Sequence, residues 1–144
     1  MRMGQMEGVE KMDFKKITSY ISYFEEVSPD YSCQWEQSHP MENGAFTMPY
    51  PIYEDKLHQF INDVSNSELM DYAYGDTIQE YGLEQNNELR DHIDTADLKL
   101  TKAILTCYIR QERFCDGVWG RAVKEGTFLA LLKRLEMLLP PSHQ

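Results

Sequence analysis

Apolar residues return at three- and four-residue steps along most of this chain, the spacing that gives a helix one apolar face. Phe14, Ile17, Ile21 and Phe24, with Tyr20 and Val27 beside them, predict a first helix over about 13–27, opened by Asp13 and stopped by Pro29. Leu57, Phe60, Ile61 and Val64 predict a second over about 54–66, with Ser67 capping a short continuation to Tyr72. Residues 75–81 read as another short helix, with Ile78 and Tyr81 inward and Gly82 closing it. The stretch 84–92 is acidic and amide-rich and reads as surface.

The last third, Thr95 to Leu139, carries the strongest pattern. Leu98, Leu105 and Ile109 align at 100° per residue on a long helix ending near Arg113, with Thr101 and Tyr108 flanking. Glu112 falls on the same stripe, where a carboxylate is out of place. Asp116 is placed to cap a short helix to Glu125, Gly126 to close it and Thr127 to open the last helix. There Phe128, Leu131, Leu132, Leu135, Leu138 and Leu139 form an apolar stripe, Lys133, Arg134 and Glu136 face out, and Pro140-Pro141 ends the element.

Between Ser28 and Tyr53 the helical rhythm is absent. Cys33 and Trp35 alternate with polar residues, as do Phe46 and Met48, with Pro40 and Asn43-Gly44 between them. That pattern predicts one short hairpin near residues 32–48. Pro49 and Pro51 force an extended run, Met48 to Tyr53, whose tyrosines Tyr50 and Tyr53 either pin a strap to the core or wall a binding groove. The fold class is therefore mainly α: a compact single-domain helical fold of five to six helices with at most that one hairpin. Its parts are a flexible N-terminus (1–12), one helical domain (13–139) and a C-terminal tail (140–144).

Composition sharpens the class. The chain has 144 residues, 42% hydrophobic and 26% charged, which is one globular domain's worth of core. It has no apolar run long enough to cross a membrane and no apolar leader segment. Cys33, Cys107 and Cys115 are odd in number and include no CxxC pair, which fits free thiols in a cytoplasmic protein. The net charge of −10 is unevenly spread. From Ile17 to Leu98 there are 17 Asp and Glu against Lys56 and Arg90, net −15, while Lys99 to Gln144 carries +4 and the first 16 residues +1. Either the basic helices pair with the acidic ones inside the molecule, or an acidic face awaits a basic partner.

No catalytic constellation stands out. Glu112 is the most informative residue, because a carboxylate on an apolar stripe must be paired or hold its proton. Arg110, Arg113 and Arg121 are its expected partners, and with Asp116 and Trp119 they make one candidate cluster, architectural or functional. Trp119 and Phe114, flanked by Gly117 and Gly120, read as a core plug with close backbone contacts. Cys33, His39, His58, His92, Cys107, Cys115 and His143 are too scattered for a metal site. Nothing calls for a cofactor, because no phosphate-binding glycine loop follows a strand. Ala122, Gly126 and Leu132 loosely echo a helix-turn-helix. The second helix begins Phe128-Leu129-Ala130-Leu131-Leu132, however, and must be buried, which argues against direct nucleic-acid binding.

Two runs carry a resemblance. Pro49-Tyr50-Pro51-Ile52-Tyr53 with Leu57 and Phe60, and Arg113-Phe114, Asp116-Gly117, Trp119, Ala122, Gly126 and Leu132–Leu135, resemble the signatures of a small bacterial family, domain of unknown function 6508. The resemblance covers nearly the whole chain from Ile17. It implies a stand-alone bacterial or phage-borne protein and transfers no catalytic residues. Three classes of function remain. The first is a non-catalytic protein-interaction module, with a protein partner or a second copy, and no membrane. The second is an acidic inhibitor of a basic nucleic-acid-binding protein, of the phage anti-defence type. The third is a small enzyme using Glu112 with Tyr50 or Tyr53. The balance leans away from an enzyme.

Overall fold

The computed structural model describes residues 14–84 and 87–139. The expected flexible segment 1–12, the Asp13 cap, the Pro140-Pro141 stop, His143 and the tail 140–144 lie outside them. Among the described residues the protein is mainly α, with eight α-helical segments, one 3₁₀ helix and one two-stranded antiparallel sheet. In chain order these are α1 (14–18), α2 (Ile21–Glu26), α3 (Pro29–Ser32), β1 (Cys33–Glu36), β2 (Tyr50–Tyr53), α4 (Asp55–Ser65), α5 (Tyr74–Glu80), the 3₁₀ helix (Asn87–Thr95), α6 (Leu98–Gln111), α7 (Val118–Lys124) and α8 (Thr127–Leu138).

More helices appear than the five or six expected because the chain breaks long patterns into turns. The expected helix 13–27 divides at Ser19–Tyr20, where the Thr18 and Ser19 hydroxyls bond back to the Lys15 and Lys16 carbonyls and tighten the turn. Pro29 does not merely stop a helix. Val27 turns extended, and Pro29 opens α3, a position where its missing N–H costs nothing. Ser67 caps no continuation: its hydroxyl accepts from Leu69 N–H in a turn. The stretch 84–92 was expected to be surface, yet Leu89 within it is buried on the inner side of the 3₁₀ helix, together with Ile93 just beyond it.

The core joins α4, α6 and α8. Leu57, Phe60, Ile61 and Val64 of α4 are buried as expected, as are Phe128, Leu131, Leu132 and Leu135 of α8. Phe60 sits edge-on to Tyr20, Phe24 and Phe128, with centroids 5.3, 4.8 and 5.2 Å away. Each such buried ring contributes about 2–3 kcal/mol. α6 is buried almost throughout, from Leu100 to Ile109, because α5, α7 and α8 all lie against it. Asp97 caps it, accepting from Leu100 N–H. Arg134, expected to face out, reaches the Ala96 carbonyl at 2.8 Å. Two C-terminal cations do pair with the acidic middle: Lys99 with Glu80 and Lys133 with Glu25. No described helix is long and apolar enough to cross a membrane.

The hairpin differs from its expected register. β1 pairs with β2, Cys33 opposite Tyr53 and Glu36 opposite Tyr50, so Phe46 and Met48 are not its second strand. They belong to a smaller ribbon at its tip. There Pro40 bridges Phe46, Thr47 N–H donates to His39, and Met41 N–H donates to Ala45. Gly44, at φ +87°, makes the turn. Pro51 is tolerated in β2 for a geometric reason. The Glu54 N–H to Ser32 bond prolongs the ladder, and antiparallel alternation then turns the Pro51 nitrogen to the open edge.

Candidate functional site

The α6–α7 corner gathers the chemistry that the sequence singled out. Glu112, at the C-terminal cap of α6, accepts three hydrogen bonds: from the Tyr53 hydroxyl at 2.8 Å, Gly117 N–H at 2.9 Å and Trp119 N–H at 3.0 Å. Its carboxylate thus closes the exposed N–H groups of the first turn of α7, where the helix dipole also favours a negative charge. In return the Trp119 indole N–H donates to the Ile109 carbonyl at 3.0 Å and closes the last turn of α6. Each helix supplies the cap of the other.

Two glycines let the hairpin rest on this corner. A Cβ at Gly117 would stand 2.7 Å from the Trp35 ring, and one at Gly120 would stand 2.8 Å from Cys33 Sγ. Gly117 also holds φ +93°, a conformation that L side chains resist. Tyr53 packs against Trp119, with centroids 5.2 Å apart, and His58 meets the same ring edge-on. Burial first, then the neighbouring Glu112 carboxylate, push the Tyr53 phenol far above its usual range. The same two causes raise the Cys33 thiol. Both groups stay protonated and unreactive near neutrality.

The cluster expected from the sequence is therefore brought together only in part. Glu112, Trp119 and Tyr53 meet. The arginines do not join them, and Glu112 takes part in none of the ion pairs among the described residues. Arg110 lies over the Tyr72 ring and Arg113 over Phe114. Arg121 is exposed on α7. Asp116 is exposed and does not cap α7; its expected role belongs to Glu112, five and seven residues before the N–H groups it holds. Phe114 is no core plug, being 81% exposed. Tyr50 does not share a cleft with Tyr53, because an odd step along a strand puts it on the opposite, exposed face.

Sequence reasoning missed that outer face. Tyr50 and Ile52 of β2 stand exposed there across from Glu36 and Gln34. Met48 at the tip is 80% exposed, Phe46 68% and Tyr31 of α3 64%. Beside the strands runs an open groove of about 600 Å³, lined by Tyr31, Gln34, Ile52, Glu54, Asp55 and Lys56. The signal lies in the density of aromatic and Met residues over 31–53, of which the sequence pattern offered only Tyr50 and Tyr53 as a groove wall. A second concavity, between α5 and α6, is lined by Asp71, Asp76, Glu80, Lys99 and Lys102. Its groups are engaged locally: Asp71 accepts from Ala73 N–H and the Thr77 hydroxyl, and Lys99 pairs with Glu80. Among the described residues no three of His, Cys, Asp and Glu converge as metal ligands.

The model of a family of unknown function, DUF6508, matches residues 9–140. No curated protein and no solved structure gives a significant match.

Proposed function

The chain belongs to DUF6508, a family of unknown function, and on the geometry above we propose that it is a non-catalytic protein-interaction module whose binding surface is the outer face of the β1–β2 hairpin with its tip. The observation that carries this reading is the concentration of exposed apolar side chains in one segment. Tyr31, Met41, Phe46, Met48, Tyr50 and Ile52 all lie within 22 residues. Elsewhere exposed large apolar residues such as Tyr72, Phe114 and Met137 are scattered along the chain, whereas grouped apolar exposure costs free energy in water and marks interaction surfaces. The enzymatic alternative lacks support at its own residue, since the Glu112 carboxylate is engaged by three donors that hold the fold. Three free thiols fit work in a reducing compartment such as the cytoplasm.

The test is comparative capture from a cell lysate with three baits: wild type, F46S/M48S/I52S and, as a control, D76N/K102Q in the α5–α6 concavity. The reading expects a retained protein that is lost with the hairpin variant and kept with the control. Retention indifferent to the hairpin substitutions would refute it.

A further inference from the structure

The charges around the hairpin select among partners. We infer that the hairpin face and its groove bind a basic polypeptide, one presenting Lys or Arg between apolar side chains; this rests on the interaction reading above. Residues 30–55 contain five carboxylates, Asp30, Glu36, Glu42, Glu54 and Asp55, and no Lys or Arg. None of the five takes part in an ion pair among the described residues. Glu54 accepts the Tyr23 hydroxyl, which satisfies an oxygen but leaves the charge uncompensated. The strand register sets Glu36 beside Tyr50 on the outer face, and the groove sets Glu54 and Asp55 beside Tyr31 and Ile52. The cation in that groove, Lys56, has its ammonium over the Tyr20 ring, 5.2 Å from the centroid.

This is an apolar patch with an acidic border, the complement of an apolar patch with a basic border. Exposed Tyr31 and Tyr50 add ring faces that attract Lys and Arg. The same charges disfavour the other occupants. A second copy docked face to face would set Glu36, Glu54 and Asp55 against the same carboxylates of the other copy. Nucleic acid and anionic lipid headgroups carry the same sign and are repelled. Surfaces made of Lys and Arg to grip phosphates have the required chemistry, so the binding face of a nucleic-acid-binding protein is the kind of surface this one fits, and occupying it would exclude the nucleic acid.

The test is selection from a displayed library of random peptides on the wild-type protein, with counter-selection on F46S/M48S/I52S. All substituted side chains are exposed, and circular dichroism confirms that the variant is folded. The expected result is hairpin-dependent peptides rich in Lys and Arg with apolar residues between, whose binding falls about tenfold in E36Q/E42Q/D55N and again at high salt. Hairpin-dependent peptides that are neutral or acidic and insensitive to salt would overturn the basic partner while leaving the interaction reading intact. Peptides indifferent to the hairpin substitutions, or none, would overturn both. Sedimentation of the protein alone closes the remaining route. A self-associated species dissolved by F46S/M48S/I52S would replace the basic partner with a second copy.

Discussion

Removing the Glu112 carboxylate tests the account of the α6–α7 corner most directly. In Glu112→Ala three donors lose their acceptor: the buried Tyr53 hydroxyl and the N–H groups of Gly117 and Trp119. A fully buried donor without an acceptor costs about 1–3 kcal/mol, and one that water reaches costs less. One near the full cost and two discounted for solvent give about 3–4 kcal/mol. For a chain of 144 residues that lowers Tm by about 10–15 °C. Glu112→Gln is the finer probe. Its single amide oxygen can serve Tyr53 and Gly117 where Oε2 does now, but its NH₂ then opposes Trp119 N–H, for a loss of about 1–3 kcal/mol. Tyr53→Phe removes one bond without stranding a donor and costs about 1 kcal/mol. The expected order of destabilisation is Ala, then Gln, then Tyr53→Phe, read by calorimetry and by near-ultraviolet circular dichroism of the Trp119 environment. A Glu112→Ala protein that melts within about 2 °C of wild type would refute the capping account, because no arrangement of three stranded donors is that cheap.

Four further outcomes follow from the same structure. Gly117→Ala meets both a positive φ and the Trp35 ring, so it costs about 2–4 kcal/mol and shifts tryptophan emission, whereas Gly126→Ala, at φ +78° with open space around it, costs about 1 kcal/mol in chemical denaturation and leaves emission unchanged. The Thr127 hydroxyl is buried and finds no partner among the described residues, so Thr127→Val stabilises by about 1 kcal/mol, seen as a rise in Tm. Burial first, and then a hydrogen-bonded carboxylate, raise the phenols of Tyr20, Tyr23 and Tyr53. A group whose folded pKa lies above its unfolded value stabilises fully below the unfolded one and loses that contribution as pH climbs. Tm therefore falls above about pH 10, and absorbance near 295 nm shows these phenols ionising together with unfolding. A thiol reagent labels exposed Cys115 in the native protein, while Cys107, buried with its thiol pushed up to about 11, and Cys33 react only on unfolding, which mass spectrometry resolves by peptide.

Much of the helical framework was legible because one-dimensional spacing reports directly on a helix's buried face. Leu57, Phe60, Ile61 and Val64 illustrate it, and so do Phe128, Leu131, Leu132 and Leu135. Leu89 was lost in an acidic, amide-rich stretch, because with Ile93 just beyond it two apolar residues four apart are too few to raise a pattern. The strand register failed because Phe46 and Met48 show the alternation of a second strand, while the extended run held by Pro49 and Pro51 reads as a strap. The Pro51 nitrogen turns to the open edge, so that run can pair. Glu112 stood out on its apolar stripe, but its partners were guessed by charge. Backbone N–H groups satisfy a carboxylate as well as arginine does, and they leave no trace in composition. The exposed hairpin face was hidden for the opposite reason, because aromatic residues read as core unless the fold shows no element left to cover them.

The Tyr53–Glu112 bond spans 59 residues, and that separation has a consequence for a chain made from its N-terminus. When β1 and β2 leave the ribosome, neither the carboxylate that receives Tyr53 nor the glycines that admit Trp35 and Cys33 have been synthesised. An isolated two-stranded ribbon is marginal in water, and closing a loop of this length costs several kcal/mol before the corner returns anything. Native order in the hairpin therefore arrives after Gly120 is free to dock, in one step with the α6–α7 corner. A chain ended before that residue would carry the same apolar segment without its fixed shape, so a truncated product is expected to adhere indiscriminately.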